Sequence, residues 1–510
     1  MKRKLALKVK EKTGITLITL IITIIILLIL AGITISAITG DNGIIKNTGQ
    51  AKEETEIANE KEIVEKATVQ AMGNNKYGNI EEDELQKQLD RETGEGKTET
   101  TDIGEEFEVV FNESSRYYIV DKEGNVEGAY EIIEDKNPGD IMTGKDGETL
   151  DGSEEHPYEI WCIEDLVTFS NMVNGEGIRM ENGNPVEITK ANNFSGKYVV
   201  LKTSLNFKSK LSYQNSERTD FGDINGVEND GNTLMNEMMT GTGFSPIGKE
   251  ERYIEFRGIF DGKENIIKNI YEKNTKNAGL FGYISYATVQ NVILTGNIET
   301  TDGFGGGIIG IGDNKNKVIN CVNLSTIVSN NSYAGGIIGN THYSEIYLVN
   351  CCNLGTVKGK TAGGIIGRAY GYTGNDNILN CYNKGTIEGT LVGGIIGETQ
   401  EGAQSPVNIY NSFNIGELNG NRKGGIAGTW TKEEIVNAFF LGKTADYGIY
   451  GNQTYTIGIE KIQSEYLKSE EFLKKLNTYV DSYNEKNKEE NDFIKLKKWK
   501  LGEEGYPIFE

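Results

Sequence analysis

The sequence predicts a mainly β protein: a repetitive solenoid preceded by a membrane-spanning helix and a small α+β unit, and closed by a helical cap. Three observations lead there. A glycine-rich phrase recurs in phase through the second half of the chain. Residues 15–38 carry no charge. The 510 residues include 64 glycines but only 6 prolines, which favours many tight turns over a disordered linker.

Composition narrows the functional classes. The chain is long enough for several domains, and 37% hydrophobic residues allow a substantial core. The formal net charge of −23 repels nucleic acid and anionic surfaces and mainly secures solubility. Five cysteines (Cys162, Cys321, Cys351, Cys352, Cys381) form no CxxC pair, and His156 and His342 are the two histidines. A zinc site and a disulfide framework are therefore not expected, nor is any cofactor.

The N-terminus sets topology. Lys2, Arg3, Lys4, Lys8, Lys10 and Lys12 precede the uncharged run and place residues 1–14 in the cytoplasm. As a helix, Ile15 to Ile38 spans roughly 36 Å, enough to cross a bilayer core of about 30 Å. The run is too long for a cleaved secretory signal and lacks its small-residue site. The phrase Lys12-Thr13-Gly14-Ile15-Thr16-Leu17-Ile18 resembles the leader junction of type IV prepilins and pseudopilins. That resemblance implies cleavage between Gly14 and Ile15 by a prepilin peptidase, with methylation of the new terminus. The family's glutamate five residues after the cut is replaced by Thr19, which puts efficient polymerisation in question.

Beyond the breaker cluster Thr39–Gly43, a helical pattern over 51–72 places Ile57, Ile63, Val64, Ala67 and Ala71 on one stripe. Residues 15–72 thus resemble a pilin helix. A small α+β head is expected over 73–135, with Leu85 and Leu89 on a helix and strands at Phe107–Phe111 and Tyr117–Val120. Residues 136–153 read as a linker, and 154–272 as a mixed lead-in to the repeats. In that lead-in, Ile163–Asn174 is expected to be a helix with Leu166, Phe169, Ser170 and Val173 on one face. Residues 208–243 read as a polar insertion. Its acidic stretch 223–230 lacks EF-hand spacing and reads as a solvated loop.

The repeats carry the fold. Gly279-Leu280-Phe281-Gly282 is followed by four Gly-Gly-Ile-Ile-Gly units and one Gly-Gly-Ile-Ala-Gly unit. The closing glycines are Gly282, Gly310, Gly339, Gly367, Gly397 and Gly428, at intervals of 28, 29, 28, 30 and 31 residues. A second phrase keeps phase: Asn320-Cys321-Val322-Asn323, Asn350-Cys351-Cys352-Asn353, Asn380-Cys381-Tyr382-Asn383 and Asn411-Ser412-Phe413-Asn414. These phrases resemble GLUG repeats, named for Gly-Leu-hydrophobic-Gly. The resemblance implies a right-handed parallel β-solenoid, assigned to 273–445.

Stacked coils separate by about 4.8 Å, and each needs neighbours to bury its apolar face. Alternation puts Cys321, Cys351, Cys381 and Ser412 on one face and Val322, Cys352, Tyr382 and Phe413 on the other. The uniformly small first set is expected inside and the variable second set on the outer surface. Asn323, Asn353, Asn383 and Asn414 are expected to form an amide ladder at a corner. Residues 446–510 read as a cap containing an amphipathic helix over 465–484, packed on the last coils.

These readings imply a surface-displayed structural or adhesive protein, similar to a minor pilin, binding extracellular carbohydrate or protein. It is expected to be single-pass in the membrane or pilus-associated, with most of the chain outside the cell. Prepilin peptidase, the membrane, and pilus or secretion-system subunits are the expected partners; nucleic acid is not. Tyr343, Tyr370, Tyr372 and Trp430 lie in or beside variable loops where aromatic rings stack on sugars. One alternative is a pseudopilin of a type II-like secretion system. Another is a polysaccharide-active β-helix enzyme, but Asp302, Asp313, Asp376, Glu388 and Glu398 share no phase. The chain is therefore expected not to be an enzyme, with no catalytic residues and no metal site.

Overall fold

The computed structural model describes residues 44–510 except 75–79, 104–105, 115, 132–138, 145–146, 182–183, 208–241, 251–253, 275, 371–373, 401–405, 430–433, 452–456 and 491–492. The junction Gly14/Ile15, Thr19, the span 15–38, the acidic stretch 223–230, Tyr372 and Trp430 lie outside the described residues. Among the described residues, no helix is long and apolar enough to cross a membrane. The chain divides into two compact units, 1–129 and 130–510.

The first unit joins helix α1 (Ile44–Asn74) and helix α2 (Glu82–Thr93) to an antiparallel sheet in the order β1 (Thr98–Asp102), β2 (Glu106–Phe111), β3 (Arg116–Asp121), β4 (Val126–Glu131). Val64, Ala67 and Ala71 sit at helical spacing and are buried against Leu85, Leu89, Phe107, Val109 and Tyr118. Helix α2 has Glu82, Asp83 and Glu84 in its first turn and Arg91 in its last, each sign favoured by the helix dipole. Glu60 ties α1 to the sheet: one carboxylate oxygen accepts from Arg116 Nε and from the Tyr118 hydroxyl, both at 2.9 Å.

The second unit is a parallel β-solenoid. Its ladder already begins within the lead-in, where Tyr158–Ile160 pairs with Tyr198–Leu201, which pairs with Ile259–Asp261. One interior column runs through Val199, Phe260, Val289, Val318, Leu348, Ile378, Ile409 and Ile435. All are at most 3% exposed. Helix α3 (Ile163–Asn174) lies at the N-terminal part of this core and is buried at every position, not on one face alone. Phe169 on α3 packs on Phe194, Phe256 and Phe260, with ring centroids 5.0, 5.5 and 5.9 Å apart.

The repeat glycines are explained by close approach. The closing glycines stack. A Cβ on Gly310, Gly339, Gly367, Gly397 or Gly428 would fall 2.2–2.9 Å from the carbonyl oxygen of the preceding closing glycine. The second glycine of each Gly-Gly-Ile-Ile-Gly unit meets the amide ladder. A Cβ on Gly336 would lie 2.5 Å from Asn353 Cγ, and one on Gly394 would lie 2.5 Å from Asn414 Cγ. No real side chain tolerates such separations from backbone or a fully packed amide.

The structure corrects the expected outer face. Cys352, Tyr382 and Phe413 are 2%, 4% and 0% exposed. They belong to a second core with Phe439, Ile462, Leu467, Phe472, Leu476, Val480 and Trp499. The reason is the placement of the C-terminal residues. A short helix α4 (Ser464–Leu467), helix α5 (Glu470–Asn487) and the segment 493–510 cover this flank of the coils. Tyr382 and Phe413 stack at 5.2 Å, and Trp499 lies 5.7 and 5.2 Å from them. These contacts reach coils well inside the repeat array, so the cap is lateral.

Candidate binding surface

The residues after the first five closing glycines occupy a column in the order Tyr283, Ile311, Asn340, Arg368, Glu398. A neighbouring column holds Tyr333, Thr361, Leu391 and Arg422. Where the two meet, aromatic rings collect around a guanidinium. The Arg368 Cζ lies 5.0 Å from the Tyr333 ring centroid and 5.9 Å from that of Tyr370. Tyr370 is 5.5 Å from Tyr343 and 6.1 Å from His342, and His342 and Tyr343 are 4.3 Å apart. Phe304 extends the patch, 5.7 Å from Tyr333.

Tyr343 is 40% exposed, and Tyr333, Arg368, Tyr370, His342 and Gln400 are half-buried. Burial, with the Glu398 carboxylate beside it, raises the Tyr333 phenol above its ordinary pKa. The ring therefore stays neutral and its hydroxyl donates to Glu398 Oε1 at 3.4 Å. The surface combines stacking faces with fixed polar groups on a rigid ladder, the makings of a recognition surface. Of the loop aromatics singled out from sequence, the fold brings Tyr343 and Tyr370 together. Arg368 and His342 were missed, although phase marks Arg368 as the residue after Gly367.

The structural repeat residues occupy the interior. Asn323 Nδ2 donates to Asn353 Oδ1 at 2.7 Å, Asn353 to Asn383 at 2.8 Å, and Asn383 to Asn414 at 2.8 Å. All four are 0% exposed. The column ends in apolar residues, Leu294 on one side and Phe440 on the other. Cys321, Cys351 and Cys381 are free thiols at 0% exposure, and burial raises the first two well above the ordinary range. They serve as small core residues.

A second asparagine ladder escaped the sequence reading. Asn411 donates to Asn380, Asn380 to Asn350, Asn350 to Asn320, and Asn320 to Asn291, at 2.7–3.0 Å. Each of these residues is at a corner with φ between 49° and 56°, the left-handed region that asparagine tolerates better than other side chains. The recurrence of Asn320, Asn350, Asn380 and Asn411 three positions before the asparagines of the first ladder was the available signal.

The acids weighed for catalysis are each engaged. Asp376 is buried and accepts from Thr341 Oγ1 at 2.6 Å. Asp313 accepts from the Tyr283 hydroxyl at 2.6 Å, Glu388 pairs with Lys358 at 3.0 Å, and Asn331 lies 3.5 Å from Asp302. Among the described residues, no group of three or more His, Cys, Asp or Glu is placed to hold a metal ion.

No family model and no curated protein matches the chain. A solved structure described as a "putative immunoglobulin A1 protease" from Bacteroides ovatus is similar over 71% of this chain and 95% of its own, at 20% identity and TM-score 0.42. The expectation that the chain is not an enzyme is withdrawn against that description. At this identity and TM-score the likeness assigns no catalytic residue or activity to the chain.

Proposed function

We propose that the protein is a surface-displayed structural and adhesive protein, carried on a pilin-like stem and presenting a right-handed GLUG-type solenoid outside the cell. The observation that carries this reading is the Tyr333–Arg368–Tyr370 patch on a ladder of stacked coils. The uncharged run 15–38, preceded by six basic residues, supports membrane attachment with the solenoid outside. The first unit, a long helix packed on a four-stranded antiparallel sheet, supports a reduced pilin head.

The mass of the N-terminal peptide from native cells tests the stem. A peptide beginning at Ile15, with one added methyl, is the expected result, and protease added to intact cells is expected to release solenoid fragments. A chain that begins at Met1 overturns the pilin-like processing. A solenoid protected from external protease overturns surface display.

A further inference from the structure

Arg368 is set apart from three other arginines that the fold wholly or partly buries. Arg116, Arg179 and Arg257 each pair with a glutamate. Among the described residues, no carboxylate pairs with Arg368, even though Glu398 is its register neighbour. Its Nη2 donates to the neutral side-chain oxygen of Gln400. Its Nε is buried without a hydrogen-bond partner. One rung earlier in the same column, Asn340 is 2% exposed and its Oδ1 is also unpartnered.

A partly desolvated cation without a counter-charge is unfavourable, and the more so is a buried donor left unmade. Surrounding rings recover part of this through cation–π contact. With Nε closed off and Nη2 engaged by Gln400, the Nη1 edge remains as a charged donor for a carboxylate. Tyr370, Tyr343 and His342 lie alongside with ring faces that suit the apolar side of a sugar. The net charge of −23 disfavours densely charged polyanions such as nucleic acid, yet a sparse carboxylate meeting a local cation is tolerated.

The geometry points to this patch as a binding site for a carboxylate-bearing sugar of an extracellular glycan, with Arg368 pairing with the carboxylate and Tyr370 and Tyr343 packing on the ring. The inference rests on the surface-binding reading and names the ligand class of that same patch. Uronic acids and sialic acids share this chemistry.

Calorimetric titration of the full-length chain in detergent distinguishes them. The probes are oligogalacturonate against its methyl ester, and sialyllactose against lactose. At least one acid is expected to bind at least about tenfold more tightly than its neutral counterpart. R368Q is expected to bring the acid down to the neutral level with an unchanged thermal midpoint, and R368K to restore part of the difference. Equal binding of acid and neutral forms, or an unaffected R368Q, overturns the acidic-sugar assignment while leaving surface binding in place. Absence of binding to all four probes overturns the assignment as well. The processing and display experiments read the broader proposal independently.

Discussion

Trp499 donates its indole N–H to the side-chain oxygen of Asn380 at 2.7 Å, joining residues 119 positions apart. The contact belongs to a strap whose backbone is held from both sides by asparagine side chains. On the solenoid side, Asn350 Oδ1 accepts from Lys497 N, Asn350 Nδ2 donates to Lys495 O, and Asn380 Nδ2 donates to Lys497 O, all at 3.0 Å. On the other side, Asn484 binds both N and O of Leu496, and Asn477 binds both N and O of Trp499, at 2.9–3.0 Å. The strap thus satisfies its backbone almost without a sheet, using a ladder that the coils already present.

Substitution of Asn380 is expected to be severe because four bonds meet there. N380A strands the buried Trp499 N–H and breaks the ladder to Asn350 and Asn411, for a loss on the order of 3 kcal/mol. W499F removes one donor and is expected to cost about half as much. Denaturant unfolding monitored by far-ultraviolet circular dichroism gives both values; equal stability of N380A and the parent would contradict the strap's role.

Truncation after Gln463 removes α4, α5 and the strap and uncovers the second core. Burial raises the Cys352 thiol to about 12 in the intact chain. In the truncated chain Cys352 is expected to alkylate rapidly, while Cys321, Cys351 and Cys381 stay protected inside the coils. Mass spectrometry of alkylated peptides reads each cysteine separately. Simultaneous labelling of all four would show that the flank is required for the coils themselves.

Gly364 tests the close-approach argument. A Cβ there would lie 2.1 Å from Gly394 O and 2.6 Å from Asn383 Cγ. G364A is expected to destabilise by roughly 3 kcal/mol or more, since neither group has room to move. Gly73, near the end of α1, has no heavy atom within 4 Å of such a Cβ. G73A is expected to be neutral or mildly stabilising. Thermal midpoints of the two variants should move in these different ways.

Two buried carboxyls give the second unit a pH dependence. Burial raises Glu164 to about 8 and lifts Glu272 well above the ordinary value of 4.5. Between about 4.5 and 8 the unfolded chain has released the Glu164 proton and the folded chain still holds it. Stability therefore falls as pH rises through that window, by an amount on the order of a few kcal/mol. E164Q is expected to flatten the profile and to be more stable than the parent at pH 8. Unfolding midpoints measured from pH 4.5 to 8.5 check the slope.

Much of the architecture was legible because repetition is a property of the sequence itself. Six closing glycines at intervals of 28 to 31 residues demand stacked coils, since a single coil cannot bury its own isoleucines. The alternation in Asn-Cys-x-Asn placed Cys351 and Cys381 inside and marked Asn353 and Asn383 as a column, because side-chain direction in a strand follows from position alone. Period also contained the second ladder, although the left-handed corner at Asn350 and Asn380 shows only in backbone angles.

The tertiary structure alone decided what lies against each face. Alternation put Tyr382 and Phe413 outside the coil, but the C-terminal strap and α5 bury them. No local pattern announces that residues 495–499 return to a ladder more than a hundred positions earlier. The same holds for Arg368, whose partners Tyr333 and Tyr370 meet it only because coils stack in one register. Local propensity and period act over a few residues, whereas burial and pairing depend on which distant surfaces the closed chain brings into contact.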